Sequence, residues 1–275
     1  MDSIGPVLSS GLTLTLSPAQ ALVGVGLLGF GRLFLQIARH LIFGRARLTV
    51  KSPTHGAEAL FAPVITSSYT PFLDIDYNMH KSNSTFFNDL DDNRTELMLA
   101  LFKDVPKMFS MGGTSCTFQK AIPPLARYEV SSRILCWDQK WIYVVSHFAK
   151  PGSNKPTRFL VESQAIKNTA QDVKMGADQQ GCIYASAITK YVFKLGRITC
   201  SPEVVMEECG LLPPRPTTDE QAERRNIGIK PNNHWAWEDV QMECNKYIEV
   251  AQNFGSLDQL HHTFIGRTGP AMYIY

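Results

Sequence analysis

The sequence predicts an α+β fold in which one antiparallel sheet folds against one long helix. An apolar stripe with helical spacing covers residues 83–104, and one strand-like segment precedes it. Further segments with strand character follow the helix as far as residue 195. The order strand, long helix, several strands is typical of a sheet that packs one face on a helix.

The first strand and the long helix carry the clearest local signals. Residues 63–76 are rich in β-branched and aromatic side chains, which predicts a strand. Asn83 or Ser84 can cap the helix that follows, and Pro106 enforces its end. The apolar stripe consists of Phe86, Phe87, Leu90, Leu97, Met98, Leu101 and Phe102.

The remaining elements follow from periodicity and turn residues. Strands are predicted over residues 111–118, 127–138, 140–150 and 181–195, the second and third as a hairpin. The polar residues 151–180 between them predict a long loop. Ser201 and Pro202 open a short helix, and residues 235–254 have an amphipathic helical pattern.

Three regions are expected along the chain. An apolar N-terminal segment with a basic connector covers residues 1–58, the sheet domain covers 59–210, and a linker with a helical C-terminal extension covers 211–275. Residues 12–31 carry no charge, but they reach the length of a membrane span only by including polar residues and glycines. Two interpretations stay open for them: a membrane anchor or interfacial helix, and a helix packed on the domain.

Composition excludes several classes of function. The net charge of +2 is spread along the chain, so a nucleic-acid partner is not expected. The six cysteines show no CxxC pair and no metal-ligand spacing, so neither a metal site nor a cofactor is predicted. They are expected to be reduced thiols of a cytoplasmic protein, with residues 12–31 as a candidate membrane contact.

A polar cluster at the head of the long helix indicates function. Asp74, Asp76, Asn78 and His80 fall within seven residues, and Asn83 follows. Carboxylate, amide and imidazole groups at this density suit a site that activates water and orients a carbonyl group.

Two patterns in this region resemble known thioesterases. Plant acyl-ACP thioesterases carry D-x-D-x-N-x-H-x-N-N, and this chain has the same spacing from Asp74 to Asn83, with Ser82 in place of the first paired asparagine. Proteins similar to thioesterase superfamily member six carry H-M-N-N-A-R-Y-L-x-x-x-D-x-x-R and an L-L-C-W-D hairpin. The residues that correspond to these two motifs are His80, Asn83, Phe86 (for the tyrosine), Asp91, Arg94 and Ile134 to Asp138.

The resemblance covers about residues 60–205 and implies a hotdog fold of the 4-hydroxybenzoyl-CoA thioesterase-like superfamily. It implies hydrolysis of acyl-CoA or acyl carrier protein thioesters, and a homodimer whose site is built across the interface. The catalytic residues it implies are Asp76, Asn78 and His80. The substrate-binding residues expected at the helix start are Asn83, Ser84, Phe86 and Phe87.

The individual residues allow functional and structural interpretations. Asp76 is the candidate base or nucleophile, because a carboxylate beside an apolar groove gains basicity. His80 would orient water or donate to the thioester oxygen, and backbone N–H groups at the helix start would polarise the carbonyl. Asp74 is interpreted as a turn or loop residue, and Asn83 could be only a helix cap. Asp91 and Arg94 are expected to form a structural ion pair.

Two other functions compete with hydrolysis. A hotdog dehydratase or isomerase would use Asp76 and His80 to transfer protons on an acyl thioester. A catalytically weak acyl-binding protein at a membrane is the alternative from a different class, favoured by the departures at Ser82 and Phe86.

Overall fold

The computed structural model describes residues 50, 55–156, 160, 180–215 and 234–263. These residues belong to one compact unit, Arg47–Tyr275. The apolar segment 12–31, most of the loop predicted over 151–180 and most of the linker lie outside the described residues.

The described residues contain one antiparallel sheet of six strands. The strands are β1 (Val64–Tyr69), β2 (Met108–Phe118), β3 (Arg127–Trp137), β4 (Ile142–Ala149), β5 (Ile183–Leu195) and β6 (Ile198–Cys200). Their order is β1-β3-β4-β5-β2, and β6 pairs with the end of β5. Every pair is antiparallel. The predicted strands are confirmed, although β1 ends at Tyr69 and does not continue to residue 76.

Four α-helices accompany the sheet in the described part of the chain. They are α1 (Phe86–Phe102), α2 (Pro202–Glu208), α3 (Trp237–Asn245) and α4 (Ile248–Gly255). The predicted cap differs, because Asn83–Thr85 form a 3₁₀ turn and Thr85 occupies the cap position of α1. The single helix predicted over 235–254 is divided into α3 and α4 at Lys246 and Tyr247.

Helix α1 packs its apolar stripe on β1 and β3. Leu97, Met98 and Leu101 join the main core, where they are at most 2% exposed. Leu90 joins a second cluster nearer the start of the helix, together with Val130 and other strand residues. The predicted α+β layout, with the sheet folded against one long helix, is confirmed.

Arg94 is the charged residue on this buried stripe. Its guanidinium is paired with Asp91, as predicted, and it also donates to Leu90 O (3.0 Å) and Thr114 Oγ1 (3.1 Å). A further bond reaches Thr189 on β5. Polar partners on two strands therefore compensate for the cost of burying the charge.

Asn93, the next buried polar residue of α1, ties the helix to two strands. Its Nδ2 donates to Val64 O (3.3 Å), Thr66 Oγ1 (2.9 Å) and Val130 O (3.1 Å). One amide group thereby links α1 to both β1 and β3 at the place where these strands pair.

The C-terminal helices cover the sheet face opposite α1. On β5, Thr189 bonds Arg94 of α1, so its neighbour Lys190 points to the other face. There Lys190 lies 4.9 Å from the Trp141 ring and 5.6 Å from the Phe254 ring of α4, and it pairs with Asp258 at 2.6 Å. Lys190 is 2% exposed as a result.

The two ends of the described chain are joined at Glu58. Its carboxylate accepts the Trp235 N–H (3.2 Å) and lies 2.8 Å from His234 Nδ1. Phe61 stacks between Trp137 and Trp235, with ring centroids 5.9 and 5.7 Å away. The segment before β1 is thus packed on the segment that leads into α3.

Within the described ranges, no helix is both long and apolar enough to cross a membrane.

We expect Asn93→Ala to lower the free energy of unfolding by about 1–3 kcal/mol, because carbonyl groups in the core lose their donor. Urea unfolding followed by circular dichroism measures this. Asn88→Ala is the matched control, since Asn88 is exposed on the same helix. Equal losses in the two variants would contradict the linking role of Asn93.

The Lys190–Asp258 pair makes stability depend on pH. The hydrogen bond from Lys190 lowers the pKa of Asp258 below its ordinary value. A lowered carboxylate pKa contributes stability that is complete above the unfolded-state pKa, near 4, and is lost as the pH falls through the folded value. The difference in unfolding free energy between the wild type and Asp258→Asn should therefore be largest above about pH 5 and shrink below about pH 4.

Urea unfolding at several pH values tests this. Glu249→Gln is the control, because Glu249 is an exposed carboxylate of α4. A wild-type advantage over Asp258→Asn that stays constant down to pH 3 would contradict the assignment.

Candidate active site

The polar cluster forms a tight loop between β1 and α1. An isolated bridge between Ile75 and Lys81 closes its base. Inside the bridge, Asp76 N–H donates to His80 O and Met79 N–H donates to Asp76 O, each at 3.0 Å. Met79 adopts a left-handed backbone conformation, with φ of 59°. The turn therefore brings Asp76 and His80, which are four residues apart, to the same end of the loop.

Asp76 and His80 lie side by side in this loop. His80 Nδ1 is 3.6 Å from Asp76 Oδ1, and the side chains are 34% and 23% exposed respectively. The Asn78 N–H donates to the same Asp76 oxygen at 2.9 Å. Asn78, one of the expected catalytic residues, thus contacts the carboxylate through its backbone N–H.

The predicted substrate-binding residues separate into exposed and packed positions. Asn83 and Ser84 are exposed at the start of the 3₁₀ turn. Phe86 is 2% exposed and packs on Phe118 and Phe148, with ring centroids 5.1 and 4.7 Å away. Phe87 is half-buried against the second core cluster.

A shallow cavity of about 200 Å³ adjoins the loop. It is lined by His80, Lys81, Asn83, Phe86, Phe118, Gln119, Lys120 and Ala121. Three predicted site residues, His80, Asn83 and Phe86, therefore line the cavity, and Asp76 lies next to His80. Asn78, Ser84 and Phe87 do not line this cavity. Leu90 and Leu97 of the apolar stripe are buried in the two core clusters and do not line the cavity.

Lys81 and Asp89 are residues of this region that the sequence argument missed. The Lys81 ammonium lies 3.2 Å from Asp74 Oδ2 and 2.8 Å from Asp89 Oδ2, with its side chain fully buried. Asp74 is itself 3% exposed, in keeping with the interpretation of this acid as a loop residue. A lysine beside a histidine has no distinctive sequence signal, and its partner Asp89 is separated from it by the start of the helix.

Tyr128 of β3 completes this buried group. Its hydroxyl donates to Asp89 Oδ2 at 2.7 Å. Burial, reinforced by the charge of Asp89, raises the pKa of Tyr128, so the phenol stays protonated and remains a donor.

Large apolar side chains are exposed around the loop. The residues of this exposed patch are Tyr69, Phe72, Leu73, Tyr77, Met79 and Leu125, each more than half exposed. No group of three histidine, cysteine, aspartate or glutamate side chains in the described residues could hold a metal ion.

Comparison with known proteins identifies the family. Residues 70–196 match the model of the thioesterase-like superfamily. The chain is 36% identical over 270 residues to thioesterase poxG of Penicillium oxalicum, with 88% of this chain and 85% of the relative covered. The chain belongs to the thioesterase-like superfamily. This membership confirms the predicted resemblance and the expected class of enzyme, a thioester hydrolase.

The chain is also similar to a second relative and to a solved structure. The probable thioesterase atnL of Emericella nidulans is 37% identical over 259 residues, covering 83% of this chain and 79% of the relative. The solved structure of the probable thioesterase YbaW from Escherichia coli matches 54% of this chain and 97% of its own, at 9% identity and a TM-score of 0.40.

Proposed function

We propose that this thioesterase hydrolyses an acyl thioester, carried by CoA or by an acyl carrier protein, with the Asp76–His80 pair as its reactive centre. The observation that carries the proposal is the 3.6 Å approach of His80 to Asp76 at the wall of the cavity. Family membership supports the reaction class.

Asp76 acts as the base in this proposal. Its carboxylate is partly buried and held by the Asn78 N–H, so it is oriented without losing all contact with water. A water molecule deprotonated by Asp76 attacks the carbonyl carbon. Collapse of the tetrahedral intermediate breaks the C–S bond, and the leaving thiolate takes up the proton. Direct attack by Asp76 is the variant of this mechanism that passes through an anhydride.

His80 and the start of the helix supply the hydrogen-bond donors for the thioester oxygen. His80 lines the cavity and can hold the water or donate to the carbonyl group. The first N–H groups of a helix have no acceptor within the helix. Thr85 N–H already donates to Ser82 O, so the Asn83 and Ser84 N–H groups are those assigned to the developing oxyanion. Asn83 lines the same cavity.

The acyl group is assigned to the apolar side of the cavity, formed by Phe86 and Phe118. Because the cavity is small and open, a second subunit is proposed to complete it. Strand β2 is an edge of the sheet that exposes Met108, Met111 and Phe118, and its end at Phe118 reaches the cavity. An exposed apolar edge strand is a template for pairing with another copy.

We propose that the chain is organised in the three regions 1–58, 59–210 and 211–275. Residues 12–31 would contact a membrane, and the protein would lie on the cytoplasmic side of that membrane. The charge-free composition of residues 12–31 supports this.

Asp76→Asn should lower kcat for acyl thioester hydrolysis by at least about 10²-fold, since general-base catalysis typically contributes 10²–10⁴-fold. Purified full-length protein is incubated with a panel of acyl-CoA and acyl carrier protein thioesters, and thiol release is measured. Glu249→Gln is the control for an exposed carboxylate remote from the loop, and its rate should match that of the wild type.

Wild-type protein that binds acyl-CoA without turnover on any thioester would reject hydrolysis. Turnover that survives in Asp76→Asn would move the base elsewhere.

The wild type should behave in light scattering as a particle of twice 30.7 kDa. Met111→Lys, on the exposed edge of β2, should shift it towards the monomer because two charges would then meet in the interface. Met242→Lys is the matched control, since Met242 is 59% exposed on α3. A wild-type mass of one chain would contradict the dimer.

A further inference from the structure

The buried ammonium of Lys81 lies between two structural elements that form the proposed site. Its Nζ is 3.2 Å from Asp74, at the entrance of the loop, and 2.8 Å from Asp89, in the first turn of α1. The side-chain exposures are 0% for Lys81, 4% for Asp74 and 11% for Asp89. One cation therefore joins the loop to the helix out of contact with solvent.

The surroundings of this ammonium leave it little freedom. It lies 5.5 Å from the centroid of the Phe86 ring and 5.4 Å from that of Tyr128. Tyr128 donates to the same Asp89 oxygen that Lys81 contacts. Two carboxylates and two aromatic rings thus compensate for the cost of burying the charge.

Stability alone does not account for such a group. Replacing a buried ion pair by apolar residues of similar volume is often neutral or stabilising, whereas a buried pair can fix one register of neighbouring elements. Here the elements in question are the loop that carries Asp76 and His80 and the helix that begins beside Asn83.

The backbone of Lys81 transmits its position to the reactive pair. Lys81 forms the bridge to Ile75 that closes the loop, and its N–H donates to Ile122 O at 2.9 Å. Ser82 N–H donates to Asp74 O at 2.7 Å on the other side of the bridge. His80 directly precedes Lys81, and Asp76 is bonded to His80 through the backbone, so a shift of Lys81 moves both.

We propose that Lys81 is a positioning residue for thioester hydrolysis: its ammonium, held between Asp74 and Asp89, fixes the Asp76–His80 loop against the start of α1. This inference rests on the proposed function. Lys81 lines the cavity, but its side chain is fully buried, so its ammonium acts on the reaction through the loop.

Lys81→Met tests the proposal, since methionine keeps an unbranched side chain and removes the charge. We expect kcat to fall about 10²-fold with KM within about 3-fold, as for a misplacement of reacting groups by about 1 Å. Lys81→Arg, which keeps the cation, should recover at least about tenfold of that loss. The matched control is Lys190→Met, which removes another buried cation, paired with Asp258 on the opposite face of the sheet, and leaves the loop contacts intact. Its kcat should stay within about 3-fold of the wild type.

Amide hydrogen exchange gives a readout that needs no turnover. In Lys81→Met, exchange of the Asp76, Lys81 and Ser82 amides should accelerate at least about tenfold relative to Lys190→Met, because the bonds that close the loop open more often. If Lys81→Met does not fold, Asp89→Asn replaces it. That variant keeps the Asp74–Lys81 pair. Its kcat should fall and exchange at the same amides should accelerate, each by less than the change expected for Lys81→Met.

Unchanged exchange, a Lys81→Met kcat within about 3-fold of the wild type, or an equal loss in Lys190→Met would overturn the inference. With wild-type turnover present and Asp76→Asn inactive, such a result rejects the role of Lys81 alone. A wild type without turnover rejects the proposed function, and the exchange rates then still decide whether Lys81 holds the loop.

Discussion

The burial of polar side chains along helix α1 is the constraint on which the rest of the structure depends. Asn93 and Arg94 sit in the middle of the face that packs on the sheet, and each requires partners on particular strands. An apolar stripe alone would allow the helix to slide or rotate on the sheet at little cost. Polar groups that reach β1, β3 and β5 remove that freedom. The start of α1, where the loop of Asp76 and His80 is attached, therefore has a fixed place over the sheet.

The periodic elements could be predicted from the sequence because periodicity reports burial directly. Helix α1, the β3–β4 hairpin and β5 were predicted within a few residues of their bounds. The pairing of Arg94 with Asp91 was also predictable, since a charge on an apolar stripe needs a partner one turn away. The division of the C-terminal helix at Lys246 and Tyr247 was not, because neither residue is a helix breaker and tertiary packing decides the break.

The sequence predicted the loop of the candidate site but not the buried residues that hold the loop in place. The spacing of Asp76, Asn78 and His80 indicated this loop as a candidate site, and the structure places Asp76 beside His80. The backbone contact of Asn78 depends on the turn geometry and on the left-handed Met79, neither of which a residue pattern specifies. Lys81, Asp89 and Tyr128 come from three elements that meet only in the folded chain. Their grouping is a product of topology, which spacing within one segment cannot report.

The bond between Glu58 and His234 has a consequence for biosynthesis. The two residues are separated by 176 positions in the sequence. The ring contact between Phe61 and Trp235 likewise joins distant parts of the chain. A ribosome releases the chain from the N-terminus at about 5–20 residues per second. The strands and α1 therefore emerge well before α3 and α4. The sheet face around Trp141 stays uncovered until α3 and α4 have been synthesised. During that interval the nascent chain presents an apolar surface that α3 and α4 cover in the folded protein.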